Sequence, residues 1–100
     1  MTTSLTIGDY EITAVFDGPS TARDPGTIFT TVSPEQWDPY RSFALTPDGK
    51  WQPDWRSHLI RSTNGEGPVI LVDAGMGDVV HEHTGEKGKL LENLAALGVQ

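Results

Sequence analysis

Three histidines (His58, His81 and His83) and one carboxylate, Asp73, are the side chains whose type and setting suggest chemistry in this chain of 100 residues. In His81-Glu82-His83, two imidazoles at i and i+2 would point the same way on a strand and could share a metal ion. The segment lies between two Gly-rich stretches, however, and offers no third ligand. It reads as a solvated polar loop, so no metal ligand is assigned there. His58 falls inside an expected strand and reads as a half-exposed strand histidine. Asp73 carries more information. It follows Val69-Ile70-Leu71-Val72 and precedes Ala74-Gly75-Met76-Gly77. A carboxylate at the end of a buried strand is costly unless it is hydrogen-bonded, and strand ends are where layered folds build their sites. A turn-capping aspartate bonded to nearby backbone N–H groups accounts for the same pattern. Both readings stand on local sequence.

Other chemistries lack their residues. There is no cysteine, which removes disulfides, thiolate metal sites and a Cys nucleophile. No third glycine follows Gly75-Met76-Gly77 to complete a dinucleotide fingerprint, and no phosphate-binding loop occurs. No Gly-x-Ser-x-Gly elbow is present. No catalytic residue is assigned.

The elements that would position these residues can be read from periodicity. Tyr10, Ile12, Ala14 and Phe16 alternate with Glu11, Thr13 and Val15, which predicts a strand over 10–16 with one face buried. Asp17-Gly18-Pro19 should stop it. Residues 17–54 hold six prolines together with Phe29, Trp37, Tyr40, Phe43 and Trp51. So many aromatics in a long loop suggest a segment that packs down as a cap, with Phe29, Trp37 and Trp51 as candidates to face a substrate. The same rings would equally serve as the loop's own packing anchors. Within it, Ser33-Pro34-Glu35-Gln36 is a helix start with N-cap, Pro at the first position and a capping-box Gln. Pro39 should soon interrupt that helix. Pro47-Asp48-Gly49 reads as a tight turn. Residues 55–73 read as an antiparallel hairpin around Asn64-Gly65-Glu66-Gly67. Its second strand, Val69–Val72, is expected to be covered on both faces. A helix is expected over 88–98, with Leu90, Leu91, Leu94 and Leu97 on the buried face, Glu92 and Asn93 pointing away, and Gly98 just past the end.

The chain is 36% hydrophobic and 21% charged, ordinary for a globular protein. Its net charge of −7 argues against nucleic acid and against an anionic membrane surface. The N-terminus has no signal-peptide pattern and no apolar run is long enough to span a bilayer, so a cytoplasmic protein is expected.

Taken in order, Ser57-His58-Leu59-Ile60-Arg61, then Leu71-Val72-Asp73-Ala74-Gly75, then the Leu-x-x-Leu-x-x-Leu-Gly-Val pattern ending at Val99 resemble the metallo-β-lactamase superfamily. The long aromatic insertion after Asp17-Gly18 resembles its lactonase and organophosphate-hydrolase-like branch. The resemblance covers nearly the whole chain. It implies an α/β (α+β) fold: the N-terminal half of an αββα sandwich, mostly antiparallel, with one amphipathic helix. It also implies zinc or another divalent metal in the full-length family, whose bound hydroxide attacks ester, lactone, thioester or phosphoester bonds in a small-molecule substrate. Asp73 and Gly75 map onto the family's first motif, which supports the site without binding metal. The family's His-x-His-x-Asp-His ligand motif follows the helix and one further strand, and that strand and the motif are not in these 100 residues; Gly85 and Glu86 stand where His81-Glu82-His83 would need Asp and His. The expectation is therefore a segment that binds no metal and is inactive alone, with the missing C-terminal half as its partner. The alternative is a non-enzymatic α/β interaction module that pairs with a partner chain.

Overall fold

The computed structural model describes residues 3–77, 80, 85 and 87–99. The described chain forms two compact units, one of residues 1–18 and 54–100 and the other of residues 19–53.

The first unit is a four-stranded sheet with a helix. Strands β1 (Thr3–Ile7), β2 (Tyr10–Pro19), β3 (Asp54–Ser62) and β4 (Ile70–Val72) lie in the order β1-β2-β3-β4. β1 pairs antiparallel with β2 from Thr3↔Ala14 to Ile7↔Tyr10, and β3 pairs antiparallel with β4 from His58↔Val72 to Ile60↔Ile70. The class is α+β, as the sequence implied. β1 was not anticipated. Its cue is Gly8-Asp9, a two-residue connection whose first residue takes φ +58°, a conformation that glycine enters without strain and that hairpin turns favour.

β2 also runs three residues beyond its expected end. Asp17-Gly18-Pro19 does not break it, because the Asp17 side chain bonds to other segments and does not close a local turn. Its buried face is the one carrying Thr13, Val15 and Asp17. Val15 and Leu59 meet Leu90 and Leu94 of α3 (Leu90–Ala96) in the core, with Leu97 and Val99 packed against them. Asn93 does not point away: its Nδ2 donates to the Phe16 carbonyl at 2.7 Å. Leu91, expected in the buried stripe, is 76% exposed; at i+1 from Leu90 it lies about 100° around the helix from the core. After Leu97 the helix closes with Gly98 N–H to Ala95 O and Val99 N–H to Leu94 O, the paired bonds of a Schellman end. The Arg61 guanidinium donates to Leu97 O at 2.8 Å.

The other sheet face is apolar and open. Leu5 and Ile7 are 61% and 58% exposed and stand opposite Ile12 and Tyr10. Ile70 and Val72 stand opposite Ile60 and His58. The expectation that Val69–Val72 is covered on both faces fails: all four residues are exposed. β4 ends the sheet, and α3 packs over Val15 and Leu59 of the strands before it.

The second unit is held by its own contacts. Arg23 and Trp51 exchange two backbone hydrogen bonds, the Ser20 hydroxyl donates to Pro53 O, and the Gln52 amide donates to Ser20 O. Between these ties lie α1 (Pro25–Ile28), a 3-10 helix (Pro34–Tyr40) and α2 (Arg41–Ala44). Asp24 caps α1 through Gly26 N–H. Ser33 N–H donates to the Gln36 side chain at 2.8 Å, the capping-box contact. Pro39 sits inside the 3-10 helix without interrupting it. The turn at 47–49 closes through Gly49 N–H to Thr46 O.

Candidate functional site

The Asp73–Gly77 loop begins where β4 ends, and two aspartates shape it. Asp73 takes φ +75°, the one non-glycine among the described residues with a positive φ. Aspartate tolerates this left-handed region better than most residues because its short side chain bonds locally, and here Oδ1 accepts from Gly75 N–H at 3.0 Å. Asp73 is thus an exposed turn aspartate held in a conformation that in other proteins clusters at functional sites.

Asp17 holds the same loop from behind. It is 1% exposed. Its Oδ2 accepts from Met76 N–H at 2.6 Å and its Oδ1 from Leu90 N–H at 2.9 Å, while its backbone carbonyl accepts from Lys89 N–H at 2.8 Å. Two glycines make room for it. A Cβ on Gly75 would lie 2.6 Å from Asp17 Oδ2, and one on Gly88 would lie 2.9 Å from Oδ1 and also press on the Gly77 carbonyl. Gly75 needs its residue type twice over, because its φ is +77°. One buried charge therefore ties the end of β2 to the loop after β4 and to the start of α3. Charge-assisted bonds to backbone N–H compensate its burial.

A cleft of about 190 Å³ opens beside the loop, lined by Asp17, Trp55, Arg56, Asp73, Gly75 and Met76. Trp55 is half exposed. The Arg56 guanidinium pairs with Asp54 at 2.9 Å and lies 5.9 Å from the Phe16 ring centroid, a cation–π distance. The cleft thus offers an indole face, a cation and the Asp73 carboxylate. Asp17 lines the cleft with its carboxylate already engaged, each oxygen accepting one backbone N–H. Ser57 is fully buried on the Leu59 side of β3, and its hydroxyl has no hydrogen-bond partner among the described residues.

The described residues do not fit a catalytic zinc. Such a site needs about three protein ligands. Among the described residues no group of three His, Asp or Glu side chains converges. His58 is an exposed residue in mid-strand opposite Val72. His81 and His83 lie outside the described residues.

The aromatic rings expected to form a cap divide into two sets within the second unit. Phe29 meets Trp37 and Trp51 edge-on, with centroids 5.5 and 5.2 Å apart. Tyr40 and Phe43 form a separate edge-on pair at 6.0 Å, with Phe43 77% exposed. The rings of the first set are half-buried and pack on one another.

Sequence reading singled out Asp73 and Gly75 but missed Asp17, Gly88, Trp55 and Arg56. Asp17 was legible: it continues the Thr13, Val15 alternation by one more step. Gly88 was not, since its need for a bare backbone arises from Gly77 and from Asp17, which is 71 residues away by number (88 minus 17). No family model matches the chain, and no curated protein or solved structure matches it. No helix among the described residues is long and apolar enough to cross a membrane.

Proposed function

We propose that this chain is the N-terminal scaffold segment of a metal-dependent hydrolase of the metallo-β-lactamase kind, acting on ester, lactone, thioester or phosphoester bonds. The observation that supports this reading is the Asp73–Gly77 loop: a left-handed aspartate at a strand end, fixed from behind by a buried carboxylate, beside a cleft. In this reading Asp73 and Gly75 shape the floor of the site, and the ligands for zinc or another divalent ion come from residues beyond Gln100. In the same reading Phe29, Trp37 and Trp51 of the 19–53 unit are the residues proposed to face the substrate. The coding region after Gln100 tests the proposal directly. It must specify a strand followed by His-x-His-x-Asp-His; a stop codon or a different continuation overturns it. Calorimetry on the 100-residue chain should show only weak zinc binding, and tight stoichiometric binding would contradict the assignment of the ligands elsewhere.

The open sheet face favours a second reading, a module that pairs with a partner chain without catalysis. Leu5, Ile7, Tyr10, Ile70 and Val72 expose apolar surface of the kind that marks interaction sites. Solution behaviour separates the two. A sharp, cooperative, monomeric unfolding transition of the isolated chain supports the module, whereas self-association through unmatched strands supports the segment.

A further inference from the structure

The β3–β4 connection contains Asn64-Gly65, and its geometry is chemically loaded. Asn64 is exposed, and Gly65 follows it with φ +79° and open space where a side chain would stand. The Asn64 side-chain carbonyl, Oδ1, accepts two hydrogen bonds, from the Ser62 hydroxyl at 2.6 Å and from Glu66 N–H at 2.9 Å. Two donors on one amide oxygen withdraw electron density from Cγ. They also stand where negative charge would gather if a nucleophile added to that carbon, as donors do in an oxyanion hole. The adjacent nucleophile is the Gly65 backbone nitrogen, which no side chain shields. Its own N–H is held only by a 3.2 Å bond to Ser62 O.

We propose that Asn64 is a self-modification site, deamidating through a cyclic imide faster than the exposure of the turn alone would dictate. Gly65 N forms a bond to Asn64 Cγ, the Cγ–NH2 bond breaks, and the proton lost from Gly65 N leaves with ammonia. Water then opens the ring at either carbonyl, giving aspartate or isoaspartate. Nothing is oxidised or reduced. Each event adds one negative charge, and the isoaspartyl product also lengthens the backbone by one carbon inside the turn that joins β3 to β4. The chain carries its own control in Asn93, the second asparagine. Asn93 lies in α3, its amide nitrogen is tied to Phe16 O, and the bulky, buried Leu94 follows it.

The full chain, aged at mildly alkaline pH and digested with trypsin, yields Asn64 in the peptide running from Ser62 to Lys87. Mass spectrometry of that peptide should show conversion of Asn64 to a split pair of aspartyl and isoaspartyl forms while Asn93 stays intact. Ser62→Ala, which removes one carbonyl donor, should slow the conversion about fivefold, the equivalent of one hydrogen bond. Asn64→Asp, folded normally by circular dichroism, should reproduce the charge of the aged species. An Asn64 that survives ageing, or one that converts no faster than Asn93, overturns the site. An unchanged or increased rate in Ser62→Ala overturns the activating role of the two donors.

Discussion

Replacing Asp17 by Asn keeps the shape of the side chain and removes what it does. The carboxylate accepts Met76 N–H on one oxygen and Leu90 N–H on the other. An amide has one acceptor oxygen. Whichever way it turns, its NH2 group meets one of the two backbone donors head-on. One charge-assisted bond is lost, and one buried N–H is left without a partner. Hydrogen bonds to charged groups contribute roughly 1.5–3 kcal/mol and an orphaned buried donor costs about 1–3. The two overlap, so the expected loss is about 2–4 kcal/mol. A domain of this size has roughly 5–15 kcal/mol in all, and a core of four buried hydrophobic residues among those described places it towards the lower end. With a urea m-value of about 1–1.5 kcal/mol/M, the unfolding midpoint should fall by roughly 2 M. Asp38→Asn is the matched control. It makes the same change of charge, but its partner Arg41 is exposed, and exposed pairs contribute about 0–1 kcal/mol. Urea titrations followed by circular dichroism would compare the two. Equal midpoints for Asp17→Asn and Asp38→Asn would refute the idea that Asp17 holds the loop to the helix.

Gly88→Ala should destabilise the chain by about 1–3 kcal/mol, since its Cβ meets backbone and the fixed Asp17 carboxylate, whereas at Gly18 the contact is the movable tip of Met76 and Gly18→Ala should cost much less; thermal melts of both variants check the order. Phe29→Leu removes both edge-on contacts to Trp37 and Trp51 and should weaken the 19–53 unit by about 1–3 kcal/mol, read as a loss of near-ultraviolet dichroism from the tryptophans. The Thr46 hydroxyl, 2.5 Å from the Asp48 carboxylate, holds the Asp48 pKa below its ordinary value. The contribution of this bond is therefore present above the ordinary carboxylate range and is lost as pH falls through the lowered value. Thr46→Val should shift the titration of Asp48 upward, towards the ordinary range, followed by NMR of its carboxyl carbon; an unshifted curve contradicts the assignment of cause.

What the sequence revealed depended on how local each signal was. Ser33-Pro34-Glu35-Gln36 and Pro47-Asp48-Gly49 act over four residues or fewer, and their bonds form where the sequence places them. The Leu90, Leu94, Leu97 spacing located the helix and its inner face, but Leu91 sits one step off that stripe and only a count at 100° per residue separates it. Gly8-Asp9 was available as a hairpin signal, and reading it would have added β1. Asp17 was misjudged because Asp-Gly-Pro has strong turn chemistry in isolation. Its partners, Met76 and Leu90, lie far along the chain and exert no influence on local propensity. The unbroken apolar run at Val69–Val72 reports what a strand could bury, whereas burial itself is decided by what packs against it. Trp55 and Arg56 entered the site only because β3 runs past the loop that follows β4.

The hydrogen bonds of Asp17 join residues separated by 59 and 73 positions. Closing loops of that length costs chain entropy before any reward arrives, so these bonds belong to the last steps of assembly, after the local β1–β2 and β3–β4 hairpins have paired. Interactions made after the rate-limiting barrier leave the rate of folding nearly untouched and govern the rate of escape. Asp17→Asn is therefore expected to raise the rate of unfolding and leave the rate of folding nearly unchanged, which the two arms of a stopped-flow denaturant series would check.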